Sequence, residues 1–171
     1  RAVAEELVKE DIEAVWITAD LSESDQAQRV VDDTVRRFGG IDLLVNNAYI
    51  HGWSQFEELD DEEFFNRCEK NIRIFQRITY HAIPHLKKAE AGSIVNISSV
   101  GGLRPHRGMA GYDMGKGAMD NMTRILALEL APYGIRANSV APGAIKFKPD
   151  QEEKEMIGAR PSDGIPSGRL G

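Results

Sequence analysis

The sequence predicts an α/β fold in which a parallel sheet is covered by helices on both faces. Three observations carry this. Short apolar, β-branched runs alternate with helical stretches of about 15 to 30 residues, the pattern that parallel strands joined by helical crossovers require. Most of the runs are nearly continuous in apolar character, as strands buried on both faces are. Each run ends in polar or turn-forming residues: Asp20, Asn46-Asn47-Ala48, Ser98-Ser99 and Pro142-Gly143. The last point bears on function, because ligands of such sheets bind outside the carboxyl ends of the strands.

Taken in order, Ala2 to Glu10 reads as the end of a helix. Glu13 to Ala19, with Val15, Trp16 and Ile17 at its centre and Asp20 behind it, reads as a buried strand. Ser22, followed three residues later by Asp25, marks a helix start. That helix carries Ala27, Val30, Val31, Thr34, Val35 and Phe38 on one stripe until Gly39-Gly40 stops it. Ile41 to Val45 is the second strand. A long helix from about Asp60 to Glu90 places Phe64, Cys68, Ile72, Phe75 and Ile78 near one face. Gly92 opens a third strand, Ser93 to Ile97. A helix from about Gly111 to Ala131 carries Met119, Met122, Ile125, Leu126 and Leu130, and Ile135 to Ala141 forms a fourth, less apolar strand. From Lys146 onward, charge, proline and glycine predict a mobile loop with a short helix. Its part at about 146–164 is read as a loop over the substrate.

Composition narrows the function. The 171 residues fit a single domain. A net charge of −6 argues against general nucleic-acid binding, which needs a basic face; Arg104, His106 and Arg107 read as a solvated loop. A single cysteine, Cys68, excludes an internal disulfide and a multi-cysteine zinc cluster. No apolar stretch approaches the roughly 20 residues that span a bilayer. The opening Arg1-Ala2-Val3-Ala4-Glu5-Glu6 has no signal-peptide core, so the expected location is cytoplasmic, with no membrane partner.

The strongest chemical signal is Tyr112-Asp113-Met114-Gly115-Lys116. A spacing of four puts the phenol and the ammonium on one helix face, about 5–6 Å apart at Cβ. A free tyrosine ionises near pH 10, too high for a base at neutrality. A neighbouring cation pulls that value down, by about 3 units if it is to reach the working range. Tyr112 is therefore expected to exchange a proton with a hydroxyl or carbonyl oxygen. Ser99 lies 13 residues earlier at a strand end, and Asn71 lies in the middle of the long helix.

With these residues the chain resembles the short-chain dehydrogenase/reductase family in its Asn-Ser-Tyr-Lys form. The matching stretches are Val45-Asn46-Asn47-Ala48, Lys70-Asn71-Ile72, Gly92 to Ser99, Tyr112 with Lys116, and Ala141-Pro142-Gly143. Asp20-Leu21 and the closing Gly168-Arg169-Leu170-Gly171 also fit. The resemblance implies a Rossmann-type doubly wound sheet in three layers, α/β/α, lacking its first strand-helix-strand segment. It also implies an oxidoreductase interconverting a secondary alcohol and a ketone with NAD or NADP. The wider likeness is to 3-oxoacyl reductases and to sugar or polyol dehydrogenases, working as homodimers or homotetramers. Tyr112 would be the general acid/base, and Ser99 would polarise the substrate oxygen. Lys116 would lower the Tyr112 pKa and bind the nicotinamide ribose. Asn71 would interrupt its helix and hold a water in a proton relay to Lys116. Asp20 and Leu21 would meet the adenine. Asn46, Asn47 and Ala48 would support the central strand and pass the adenosine ribose, while Pro142, Gly143 and Ile145 would lie against the nicotinamide. Ser98, facing the other way on an extended strand, is the near miss.

Three departures qualify the resemblance. No glycine-rich turn precedes Asp20, so the chain is expected to begin after the family's pyrophosphate cradle and to end before its last elements. Gly111, Gly115 and Gly117 match the cradle's spacing but follow a loop rather than a strand. Tyr49 stands where the family usually has glycine, and is expected to point toward the adjoining loop rather than crowd the nucleotide. Phe147 replaces a frequent threonine. The competing reading is a non-catalytic fragment of the family that serves only as a binding or remnant domain.

Overall fold

The computed structural model describes residues 2–145. The expected loop at 146–164, Phe147 and the closing Gly168 to Gly171 lie outside the described residues. The elements are α1 (Ala2–Lys9), α2 (Ser24–Phe38), β1 (Leu43–Asn46), α3 (Asp61–Leu86), β2 (Ser93–Ile97), α4 (Ala110–Leu130) and β3 (Arg136–Val140). Short 3₁₀ turns occupy Phe56–Glu58, Val100–Gly102 and Ala131–Tyr133. The strands form a parallel sheet in the order β1-β2-β3, with Leu44, Ile94 and Ala137 in register across it.

Helix ends follow the local chemistry. Gly39 closes α2 in the left-handed conformation (φ 83°), its N–H donating to the Val35 carbonyl. The Asp60 side chain accepts from the Glu63 N–H and so caps α3. The Ser22 start signal is displaced: Glu23 is the cap residue of α2 and its side chain makes no capping bond, while the Ser22 hydroxyl turns back to the Asp20 carboxylate at 2.7 Å.

The core lies between the sheet and one layer of three helices. Ala27 and Val31 of α2, Ile78, Ala82 and Leu86 of α3, and Leu126 and Leu130 of α4 pack with Ile94 and Ile135, and Leu44 and Ala137 lean on the same cluster. Within the predicted stripes three positions differ. Phe38, Ile72 and Ile125 are exposed, and in α3 Ile74 and Asn71 turn inward beside Phe75 instead.

The opposite sheet face is open among the described residues. Leu43 is 55% exposed, Val45 51% and Val140 50%, so the near-continuous apolar runs have a cover on one side only. The expected strand at Glu13 to Ala19 is corrected by the same geometry. The segment runs without regular structure and joins none of the three strands. An apolar run becomes a strand only through a neighbour's ladder of hydrogen bonds, and β1 pairs with β2 alone.

Candidate active site

The carboxyl ends of β1, β2 and β3 and the first half of α4 converge on one region. β2 delivers Ser98 and Ser99 in alternation. Ser98 is buried and its hydroxyl donates to the Lys116 carbonyl, while the Ser99 hydroxyl accepts from the Gly101 N–H at 3.1 Å and lies beside the Tyr112 phenol, whose ionisation it favours. The alternation predicted from strand geometry therefore holds, and it gives Ser99 to Tyr112. The end of β3 closes the back of the site, where the Val100 N–H donates to the Pro142 carbonyl at 3.1 Å and Gly143 faces the Val100 side chain. Ile145 follows on the exposed side.

Lys116 is 4% exposed, and its ammonium donates to the Ile97 carbonyl at 2.6 Å, 5.6 Å from the centre of the Tyr112 ring. Burial disfavours its charge and pulls its pKa below the ordinary lysine value, against the opposing pull of Asp120 one turn later. Burial likewise pushes the Tyr112 phenol above the usual tyrosine value; the Ser99 hydroxyl works in the other direction, and Tyr49 and Asp113 add to the rise. This corrects the expectation that Lys116 lowers Tyr112. A cation anchored on the Ile97 carbonyl, 5.6 Å from the ring centre, does not offset the loss of water around the phenol.

A pH consequence follows with a definite sign. Because the folded pKa of Tyr112 lies above its unfolded value, its contribution to stability is complete below about pH 10 and is lost as pH rises through the folded value. In the nucleotide-free protein, a phenolate absorbance titration is expected to show one tyrosine ionising later than the rest, and Tyr112→Phe is expected to remove that late component. A titration in which Tyr112→Phe removes an early component would contradict this.

Asn71 occupies an uninterrupted turn of α3, which corrects the expected break in that helix. Its amide is spent on the loop after β1. Nδ2 donates to the carbonyls of Ile50 and Arg67, each at 3.0 Å, and Oδ1 accepts from the Ile50 N–H at 2.8 Å. With both N–H bonds committed, the second lone pair of Oδ1 is what remains for another donor. Gly115 explains how Asn71 comes so close to α4: a Cβ there would stand 2.9 Å from the Asn71 Cβ. Gly111 does the same against the Arg67 Cβ at 3.1 Å. Two of the glycines that imitate a nucleotide loop in the sequence, Gly111 and Gly115, thus form the seam along which α3 and α4 pack, while Gly117 faces the Gly102 carbonyl.

The residues assigned to the adenosine end also gather. Leu21, Asn46, Asn47 and Ala48 line one depression with Leu44, Val45, Ile74 and Ile78. Beside it the Asp20 carboxylate accepts from both the N–H and the hydroxyl of Ser22, bonds that hold its pKa below the ordinary value. Asn46 is turned inward: Nδ2 donates to Thr79 Oγ1 at 2.9 Å and Asn96 Oδ1 at 2.7 Å, which supports the strand, while Asn47 and Ala48 remain exposed.

Tyr49 does more than the expectation allowed: its ring faces His51 of the adjoining loop, centroids 6.5 Å apart, and also meets Tyr112 edge-on at 5.4 Å, with Lys116 Nζ 5.1 Å from its own centroid. His51 stands 6.1 Å from the Tyr112 ring. Sequence reasoning also passed over Asp113, whose buried carboxylate accepts from the His106 N–H at 2.5 Å and pairs with His106 Nδ1 at 3.0 Å. The pair ties the loop after Ser99 to the turn that carries Tyr112, and the crowding of Gly101 against Asp113 is its only trace in the sequence.

The Ser99–Tyr112–Lys116 arrangement lies within a stretch that the short chain dehydrogenase family model matches over residues 1–157. The chain belongs to that family. It is 40% identical over 134 residues to the chloroplastic NADPH-dependent aldehyde reductase 1 of Arabidopsis thaliana, covering 78% of this chain and 46% of that protein. It is 35% identical over 157 residues to the L-fucose dehydrogenase of Bos taurus, covering 91% of this chain and 57% of that one. The chain thus spans about half the length of these two relatives. Among solved structures, an NADH-dependent reductase responsible for alginate metabolism superposes with a TM-score of 0.85 at 27% identity, over 99% of this chain and 68% of that one. The short chain dehydrogenase fold accounts for the parallel β1-β2-β3 order and for the site at its carboxyl edge. No helix among the described residues is long and apolar enough to cross a membrane.

Proposed function

We propose that the protein is an NAD- or NADP-dependent oxidoreductase that interconverts a secondary alcohol and a ketone, with Tyr112 as general acid/base. The observation that carries this reading is the buried Ser99 hydroxyl set beside the Tyr112 phenol, with Lys116 one turn further along the same helix. In the reducing direction Ser99 donates to the carbonyl oxygen, where negative charge develops, and Tyr112 passes its proton to that oxygen. In the oxidising direction the phenolate takes the hydroxyl proton. A bound nicotinamide dinucleotide would supply or accept the hydride.

The residues present fit such a group at two places. The depression lined by Leu21, Asn46, Asn47 and Ala48 offers an apolar floor with amides at its rim, suited to an adenosine, and Asp20 beside it holds its charge. Lys116 keeps a cation at the other end, where it would hold the nicotinamide ribose, with Pro142, Gly143 and Ile145 alongside. The reading is tested by offering the full chain secondary alcohols and ketones, sugars and 3-oxoacyl compounds included, with each dinucleotide while following nicotinamide absorbance. Absence of turnover with every pair would overturn it.

Lys116→Ala separates the two jobs assigned to that residue. The variant is expected to bind dinucleotide about ten-fold more weakly and to turn over more slowly, since one side chain serves both steps. An unchanged affinity together with an unchanged pH–rate profile would remove Lys116 from the site.

The full chain is further proposed to be a cytoplasmic homodimer or homotetramer assembled through α3 and α4. Phe65 (59% exposed), Tyr80 (66%) and Leu128 (77%) leave both helices with uncovered apolar surface. Sedimentation at micromolar concentration is expected to give a dimer or larger species, and a monomer would count against the proposal.

A further inference from the structure

Tyr49 replaces a glycine that the family resemblance leads one to expect, and its ring does not hang free. The next residue, Ile50, is held by Asn71 through both its N–H and its carbonyl, at 2.8 and 3.0 Å, so the backbone that presents Tyr49 is pinned to α3. His51 flanks the ring at 6.5 Å and Tyr112 meets it edge-on at 67°. Lys116 has three N–H bonds. One goes to the Ile97 carbonyl, and its ammonium lies closer to the Tyr49 ring centre (5.1 Å) than to that of Tyr112 (5.6 Å). Within about 6 Å of a centroid, a cation is attracted by the negative face of an aromatic ring.

We propose that Tyr49 is a positioning residue that competes with the nicotinamide ribose for the Lys116 ammonium. The inference rests on the reading that Lys116 holds that ribose. A ribose hydroxyl must then replace the ring as the partner of Nζ, and the dinucleotide binds more weakly by the strength of the contact it displaces. A glycine at this position would impose no such competition. The adenosine end lies on the other side of Asn47 and Ala48 and makes no use of Lys116, so a ligand confined to that end is indifferent to Tyr49.

The test measures binding of NAD(H), NADP(H) and AMP to the full chain by titration, for the wild type and for Tyr49→Leu, Tyr49→Gly and Tyr49→Phe. Leucine keeps bulk but has no ring face, glycine removes both, and phenylalanine keeps the ring. The expected result is dinucleotide binding about two- to five-fold tighter in the leucine and glycine variants, the size of a partly exposed cation–π contact, and unchanged in the phenylalanine variant. AMP affinity is expected to stay the same throughout, which also reports that each variant is folded. Dinucleotide binding that is equal or weaker in the leucine and glycine variants would overturn the inference, as would an equal tightening for AMP. A wild-type protein that binds AMP but discriminates no dinucleotide would instead overturn the reading of Lys116 on which the inference rests.

Discussion

Tyr112→Phe in the full chain is expected to lower turnover by about 10²- to 10⁴-fold, the range that a positioned proton donor contributes, while leaving dinucleotide affinity within about two-fold. The substitution removes one oxygen and keeps the ring. The half-buried ring packs edge-on against Tyr49 and near His51, contacts that phenylalanine retains, so the fold around it has no reason to move. What is lost is the proton carried to or from the substrate oxygen, and the phenol oxygen beside Ser99. The loss should fall on kcat, because the missing interaction belongs to the transition state rather than to ground-state binding. Parallel measurement of kcat, KM and dinucleotide affinity decides it. Turnover near wild type on a verified alcohol would remove Tyr112 from its role. Equal loss of affinity would mean that the ring, not the hydroxyl, is what the site needs.

How much of this was legible in the sequence depends on which physical term decides each feature. The elements with strong local signals are where the sequence puts them. β2 runs from Ser93 to Ile97, α4 ends within a residue of the expected position, and Gly39 closes α2 as a left-handed cap. The pairing of Leu21 with Asn46-Asn47-Ala48 comes from the family resemblance alone, whereas the Tyr112–Lys116 spacing and the opposite facing of Ser98 and Ser99 follow from helix and strand periodicity and are equally legible. The Glu13 to Ala19 strand was not, because an apolar run carries no information on whether another strand lies beside it. Electrostatics was not either. Spacing places an ammonium near a phenol but says nothing of the Ile97 carbonyl that takes its proton, or of the water both groups lose. Tyr49 and Asn71 show the same limit. Their partners lie across loops, and no local pattern records which side of the chain a ring or an amide will face.

The second large effect is on stability and centres on Asn96, a polar side chain with no solvent exposure in the middle strand. Its Oδ1 accepts from Asn46 Nδ2 at 2.7 Å, and its Nδ2 donates to Thr123 Oγ1 at 2.8 Å. Thr123 in turn donates to the Met119 carbonyl, and Asn46 also reaches Thr79. One amide therefore joins β1 to β2 and β2 to α4, with α3 attached through Thr79. Asn96→Ala would leave one N–H of Asn46 buried without an acceptor, at about 1–3 kcal/mol, and would open a cavity behind β2. The expected total is about 3 kcal/mol, a large part of the 5–15 kcal/mol by which domains are commonly stable. Thr123→Val, which keeps the volume but removes the acceptor of Asn96 Nδ2 and the donor to the Met119 carbonyl, should cost about 1 kcal/mol. Ile97, Ser98 and Ser99 follow directly, so loosening β2 should also blur the position of the hydroxyl that meets Tyr112 and the carbonyl that holds Lys116. Denaturant unfolding of the full chain is expected to show a lower midpoint at unchanged slope for Asn96→Ala and a smaller shift for Thr123→Val. If Asn96→Ala unfolds within about 0.5 kcal/mol of the wild type, the buried network does not hold the site's floor, and the apolar cluster around Ile94 holds the strands together without it.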